Sequence, residues 1–443
     1  MIKRTLTVGI SMVCFLSAAH SQGLNRAGLD TFMNALQKHN LSMGTLAISK
    51  NGKLIYTKSI GYSLVKGDET IPATDKTEYR IGSISKMFTA VMIFQLIEEG
   101  KINLDTRIDK YFPTIPNASR ISIAFLLEHR SGIHDYTEDP HFPEWMDKPR
   151  THEEMLTMIS VSKSDFEPGQ NVSYCSTNYL LLGYIIEKVS GQSYKDAVAQ
   201  RIISRIGLQH TYYGAKIDIQ RNESYSYRFI NNKWQQQKET DMSIHNGAGS
   251  MVSTPTDLTK FIEALFAGRL ISKKSLATMT TLKDGYGMGI FPFTFRGKKS
   301  LGHSGKIEEF STNVQYFPDD SLAVSFCANS QVYSKDDVLE EVLKIYFDVP
   351  HHIPTFQTVV VNASELEQYL GVYISDQQGI KVLCTKDKDI LTLETKGQLF
   401  ILEPLGNDQF LNKRYGYFFE FKTATKQLII KETDNSYYLR KEE

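Results

Sequence analysis

The run Met87–Ile97 (MFTAVMIFQLI) is apolar almost all the way round a helix. A helix with no polar face has to be surrounded by the rest of its domain. This run therefore demands a domain with enough other elements to enclose it. The 443 residues supply that mass and suggest two or three domains.

The flanking patterns say what encloses it. Residues 26–39 place Leu29, Phe32, Met33 and Leu36 on one helical face. GTLAIS and LIYTKSIGYS follow, joined by Lys50-Asn51-Gly52-Lys53, and Asn-Gly between such runs signals a hairpin. Helices and loops are expected as far as about residue 280. Phe310–Phe317 and Leu322–Cys327 then flank Pro318-Asp319-Asp320 as a second hairpin. Residues 335–347 read as an amphipathic helix capped by Ser334, with Asp337 three residues on. This order predicts an α+β fold of the α/β-sandwich kind. An antiparallel sheet, assembled from both ends of the region, is flanked by helices and carries an all-helical subdomain. Composition changes at His351-His352-Ile353-Pro354. Beyond residue 364 come short β-like runs (GVYIS, IKVLCT, ILTLET, LFILEP, GYFFEF, QLIIKE, YYLRK), as in a small all-β sandwich or barrel. Its aromatics, Tyr369, Tyr373, Phe400, Phe410, Tyr415, Tyr417, Phe418 and Phe419, are expected in its core and on its faces. The expected division is a signal peptide at 1–21, a main domain at 22–350, a linker at 351–363 and the β domain at 364–443.

Lys3 and Arg4 precede an apolar run from Leu6 to Ala18, and Ala19-His20-Ser21 offers small residues for cleavage. That is the pattern of a secretory signal, too short for a good membrane span. The chain is expected to be exported, to the periplasm or outside the cell, with no integral span once the signal is removed. Lys+Arg and Asp+Glu are both 50, which argues against nucleic acid as a main partner. Cys175, Cys327 and Cys384 lie too far apart for a metal knuckle or a disulfide framework and read as buried thiols.

Chemistry enters at Ser83-Ile84-Ser85-Lys86, at the start of the buried helix. Residues three apart share one helical face, and the helix N-terminus adds a positive end beside Ser83. A serine hydroxyl is a weak nucleophile that needs a base, and burial lowers a lysine pKa until it can serve as one. Alone, SxxK is common and more often marks a capping serine with a snorkelling lysine. Two distant segments change its weight. Tyr174-Cys175-Ser176 sits in a loop feeding the helical run LLLGYIIEKVSG, and Leu301-Gly302-His303-Ser304-Gly305 precedes the Phe310–Phe317 strand.

With these three segments in order, the chain resembles the serine β-lactamase and penicillin-binding-protein superfamily. The likeness is to the branch of class C β-lactamases, D-alanyl-D-alanine carboxypeptidases, D-aminopeptidases and esterases. LLEHRSGI (126–133), GAGSMVSTPTDL (247–258) and GYGMG (285–289) add to a likeness spanning about residues 26–347. The resemblance implies that Ser83 is acylated while Lys86 and Tyr174 move its protons, an adjacent lysine charge lowering the phenol. It implies an oxyanion hole from the backbone N–H groups of Ser83 and Lys306, such donors being worth ~3 kcal/mol each. Ser176, His303, Ser304 and Gly305 would bind substrate, His303 hydrogen-bonding near Tyr174 or at the substrate's polar end. No cofactor or metal is implied. The partner is a small-molecule or peptide substrate, and the oligomeric state stays open.

Two departures bear on substrate. Ser176 stands where most members have asparagine, so a bridging water is expected to link it to Lys86. Lys306-Ile307-Glu308-Glu309 stands where many are glycine-rich, placing bulk and charge at the rim. Histidine in place of lysine in the third motif counts against efficient β-lactam hydrolysis and favours D-amino-acid peptides or small esters. Rival readings are a β-lactam- or peptidoglycan-binding sensor with little turnover, an inactive relative and a true β-lactamase. An α/β-hydrolase is disfavoured because Gly302-His303-Ser304-Gly305-Lys306 lacks the last glycine of GxSxG. His129, His134, Asp135 and His141 fit no familiar metal spacing and read as surface or cleft wall.

Overall fold

The computed structural model describes residues 24–231, 233–356, 359–432 and 435–442. The segment read as a secretory signal, residues 1–21, lies outside the described residues. Helix α1 (Arg26–Lys38) buries Leu29, Phe32, Met33 and Leu36. Strands β1 (Ser42–Lys50) and β2 (Lys53–Ile60) form the first hairpin, with Lys50 opposite Lys53. Asn51 and Gly52 both take positive φ (51° and 76°), as a tight hairpin turn with the twist of its strands requires.

Helix α2 (Ser85–Glu98) buries every residue from Ser85 to Leu96. Helix α3 (Ser176–Ser190) covers it and ends at Gly191, whose φ of 72° terminates the helix. Helix α4 (Pro255–Phe266) presses on the other side, stacking Phe261 on Phe88 with ring centroids 3.9 Å apart. Then come β3 (Phe291–Phe295), β4 (Lys298–Ile307), β5 (Phe310–Phe317) and β6 (Leu322–Gln331), and helix α5 (Lys335–Tyr346) with Ser334 as its N-cap. The six strands make one antiparallel sheet in the order β3-β4-β5-β6-β1-β2. The last strand of this region pairs with the first, so the sheet is assembled from both ends.

Strand β6 shows how the sheet divides the core. Ala323 and Cys327 pack with α2, while Leu322, Val324, Phe326 and Ala328 pack under α1 and α5. Alternation along a strand sends successive side chains to opposite faces, so both faces are buried. The expected α+β architecture is observed, with two differences. The stretch expected to be helices and loops also holds small β-elements, among them a three-stranded sheet built around Met251–Ser253. Residues 298–307 themselves form a strand.

From Gly371 to Lys441 the chain closes into an antiparallel barrel, Tyr373 on the first strand facing Lys441 on the last. Of the two open alternatives, sandwich or barrel, the barrel is observed. Tyr369, Tyr373, Phe400, Phe410 and Phe419 fill it. Phe418 points the other way and packs edge-on against Tyr333, at 5.4 Å, in the core of the sheet region. Lys431 of the barrel pairs with Asp337 of α5 at 2.7 Å. Cys175, Cys327 and Cys384 are free and buried. Among the described residues, no helix is long and apolar enough to cross a membrane.

Candidate active site

Ser83 lies in the tight turn Gly82–Ile84 that leads into α2, and the third motif is brought against it by backbone contact. Gly82 has φ +50°, and a Cβ there would stand 2.7 Å from the Lys306 carbonyl oxygen and 2.9 Å from the Lys306 nitrogen. A Cβ at Gly305 would come within 2.0 Å of the Ile81 carbonyl oxygen. Only glycine fits at either position. Thr312 of β5 locks the junction, donating to Ile81 O at 3.0 Å. The Lys306 backbone is thereby held beside the Ser83 turn.

Lys86 follows one turn later. Its Nζ donates to Ser83 Oγ at 2.9 Å and to the Ala248 carbonyl at 2.9 Å. Its side chain is 1% exposed. Burial pulls its pKa down from 10.5 to about 7, against the smaller opposing pulls of Asp135 and Cys175. The amine is thus poised to be neutral near physiological pH, as a base for Ser83 must be. Tyr174 completes the group. Its hydroxyl shares a hydrogen bond with Ser83, and its ring lies under the Lys86 amine at 4.9 Å. Burial pushes the phenol well above its ordinary range, the Ser83 hydrogen bond only partly opposing it. The expectation that lysine charge lowers this phenol is therefore corrected. Desolvation outweighs the neighbour, and Tyr174 stays protonated.

The sequence makes His129 surface or cleft wall, and the structure gives it a sharper place, buried against the Tyr174 loop. It holds the Tyr174 loop on both sides, its carbonyl accepting from Ser173 N at 3.0 Å and its Nδ1 from Cys175 N at 3.1 Å. It does so from a left-handed backbone conformation, φ 57°. Burial first, then Lys86 and His303, keeps its ring far below the usual titration range, so it accepts as neutral imidazole. Asp135 carries the start of α3, accepting from Ser176 N at 2.6 Å. His134 pairs with Asp165 and His141 with Glu144, so these residues do not converge. Among the described residues, no group of His, Cys, Asp or Glu could hold a metal ion.

The third motif departs from expectation at His303. Its Nδ1 is spent on the Ser304 carbonyl, and its Nε2 has no hydrogen-bond partner among the described residues. Its ring lies edge-on to Phe291 at 4.6 Å and 6.4 Å from the Tyr174 ring. Burial, with Lys86 adding, takes its pKa down to about 3, so it brings no charge. The charged rim is corrected too. Glu308 is buried and accepts from Arg80 and from Thr240 N, both at 2.6 Å, while Glu309 pairs with Arg228. These carboxylates are occupied by cations of the fold.

Two cavities meet at Ser83, Tyr174 and Lys306. One of about 760 Å³ runs past Phe291 and His303 to the barrel, where Glu432, Asn435 and Tyr438 wall it. The other, about 530 Å³, holds Lys86, Ser176, His245 and Glu308. Ser83 thus borders room on two sides, enough for the two substituents of a scissile bond. Sequence reading missed Ala248, whose carbonyl accepts a hydrogen bond from Lys86, and Thr312. Ala248 lies in the GAGSM stretch already singled out, but a backbone carbonyl leaves no mark in side-chain chemistry.

The Beta-lactamase family model matches residues 29–345. Penicillin-binding protein 4* of Bacillus subtilis (strain 168) is 26% identical over 441 residues, covering 92% of this chain and 96% of that protein. The teichoic acid D-alanine hydrolase of Staphylococcus aureus (strain NCTC 8325 / PS 47) is 27% identical, covering 69% and 75%. Among solved structures, the D-amino acid amidase of Ochrobactrum anthropi SV3 complexed with L-phenylalanine amide superposes with a TM-score of 0.64 at 26% identity. It covers 73% of this chain and 99% of that one.

Proposed function

The chain belongs to the Beta-lactamase family, and from that premise we propose that it is an exported serine hydrolase of D-amino-acid peptides or small esters, acting through an acyl-enzyme on Ser83. The observation that carries this reading is the 2.9 Å contact between Ser83 Oγ and a buried lysine whose pKa falls to about 7.

The steps follow from the protonation states. Neutral Lys86 takes the Ser83 proton as Oγ attacks the carbonyl carbon. Negative charge gathers on the carbonyl oxygen, where the N–H groups of Ser83 and Lys306 receive it. Tyr174, still protonated, gives its proton to the leaving nitrogen or oxygen, and Lys86 returns one to the phenol. The C–N or C–O bond breaks and the acyl group stays on Ser83. Water then attacks the ester, its proton passes to the same amine–phenol pair, and Ser83 recovers its hydrogen. Ser176, Ser304 and Gly305 line the path of the substrate, and catalysis resides in residues 22–350. The related hydrolases of D-alanine and D-amino acid amides support this substrate class. The apolar start at Leu6–Ala18 supports export.

A panel of D-amino-acid peptides, short-chain esters and a chromogenic cephalosporin, run on wild type and Ser83→Ala, tests the reading. Ester or D-peptide cleavage with weak cephalosporin turnover is expected, and all of it is lost in Ser83→Ala. Equal activity in the two proteins would defeat it.

A further inference from the structure

The barrel holds a cavity of its own, about 190 Å³, at one end of its bore. The other end is filled by the rings of Tyr369, Tyr373, Phe410 and Phe421, neighbouring centroids lying 4.7 to 5.7 Å apart. A barrel of eight strands is just wide enough to fill with side chains or to hold one small ligand. This one is packed at one end and open at the other.

Four aromatic rings line the open end, those of Phe400, Tyr417, Phe419 and Tyr437. The Phe400 centroid lies 5.8 Å from Tyr417 and 6.3 Å from Phe419. Glu432 stands at the mouth, half-buried, and its Oε2 accepts from the Tyr437 hydroxyl at 3.2 Å. Its backbone N–H, donating to Asn435 O at 2.8 Å, fixes it at the end of its strand. Among the described residues no cation pairs with it, for Lys431 beside it is held by Asp337 at 2.7 Å and Glu420 at 3.5 Å. Burial accordingly raises the Glu432 pKa, the Tyr437 hydrogen bond only partly opposing it. Lys396, also on the lining, is exposed on a hairpin turn, where its ammonium stays in water.

Aromatic faces attract a cation, and most strongly when the cation is stripped of water. A carboxylate at the mouth supplies the opposite charge, whereas a neutral ligand would leave it uncompensated and an anion would meet it head-on. An apolar cavity of about 150 Å³ takes benzene, so this one has room for a trimethylammonium head. We propose that the barrel mouth binds a small organic cation, an ammonium clad in methyl or methylene groups, held against the four rings with Glu432 as its counter-charge. The site belongs to the barrel and does not rest on the acyl-enzyme reading of Ser83.

Isothermal titration calorimetry on the full chain tests this with choline and its neutral isostere, 3,3-dimethylbutan-1-ol. Choline is expected to bind at one site per chain, at least about tenfold tighter than the alcohol. Glu432 also borders the cavity that holds Ser83, but Tyr417 lines the barrel cavity alone of the two, so its variant places the ligand. Glu432→Gln and Tyr417→Leu are each expected to weaken choline at least about fivefold and to leave the alcohol within about twofold. Circular dichroism confirms the fold of each variant, and should Tyr417→Leu misfold, Phe400→Leu takes its place. No saturable binding of choline, binding of the alcohol as tight as that of choline, or an unchanged choline affinity in either folded variant would overturn the site.

Discussion

His129 grips the loop that carries Tyr174 from both sides, and its ring lies 4.6 Å from the phenol ring. The phenol is thus aimed by a histidine forty-five positions earlier in the chain, one that itself sits in a left-handed conformation. His129→Ala is expected to lower kcat for ester hydrolysis by about 10- to 100-fold, the loss usual when a residue orienting a reactive group is removed. KM should change far less. Asparagine tolerates the left-handed conformation and can accept the Cys175 N–H, so His129→Asn should recover part of kcat. Steady-state kinetics on the two variants checks this.

Acylation should follow the charge on Lys86. The amine accepts a proton only when neutral, so kcat/KM is expected to rise with pH and to reach half its plateau at about 7. Burial holds the His129 ring well below its usual range and takes His303 down to about 3, so neither adds a limb near neutrality. Tyr174, raised by burial, keeps its proton well past pH 10 and brings no early decline. A pH profile of ester hydrolysis, with a single ascending limb, is the check.

The same burial makes Lys86 a liability to the fold. Unfolded, the amine titrates near 10.5, and folded at about 7. Between those values the unfolded chain binds the extra proton, so stability rises with pH across the window, and below about 7 the whole cost of the buried charge is carried. Lys86→Met should remove that slope. It is expected to be neutral to about 2 kcal/mol stabilising at pH 6 while abolishing turnover. Denaturant titrations at pH 6 and 9 on both proteins measure it.

The two adjacent glutamates after the third motif should behave oppositely. Glu308→Ala strips an enclosed partner from Arg80, itself 2% exposed, leaving Glu239 at 3.0 Å to balance it, and is expected to cost about 1.5–3 kcal/mol. Glu309→Ala opens a pair whose arginine is 47% exposed, and is expected to cost at most about 1 kcal/mol. Thermal melts distinguish them.

Much of this was legible in local pattern. The all-round apolar run fixed α2 as a buried helix, Asn51-Gly52 fixed the first hairpin, and Ser334 marked the start of α5. Ser83, Lys86 and Tyr174 stood out by residue type and motif, and the chain brings them together. Other features depend on distant neighbours. Strand β4 reads KKSLGHSGKI, with two glycines and little β preference, and becomes a strand because β3 and β5 pair with it on both sides. The state of Tyr174 depends on burial among His129, Phe291 and His303, brought from three separate segments. The occupied charges of Glu308 and Glu309 depend on arginines more than eighty positions away. No spacing along the chain encodes such encounters.

The central claim is that Ser83 becomes covalently acylated. Intact-mass spectrometry of the protein quenched during turnover of a slow β-lactam or an activated D-alanyl ester tests it most directly, with peptide mapping of the adduct. One acyl group per chain, mapped to the peptide containing Ser83 and absent from Ser83→Ala, is the expected result. An adduct on another residue, or the same adduct persisting in Ser83→Ala, would contradict the account.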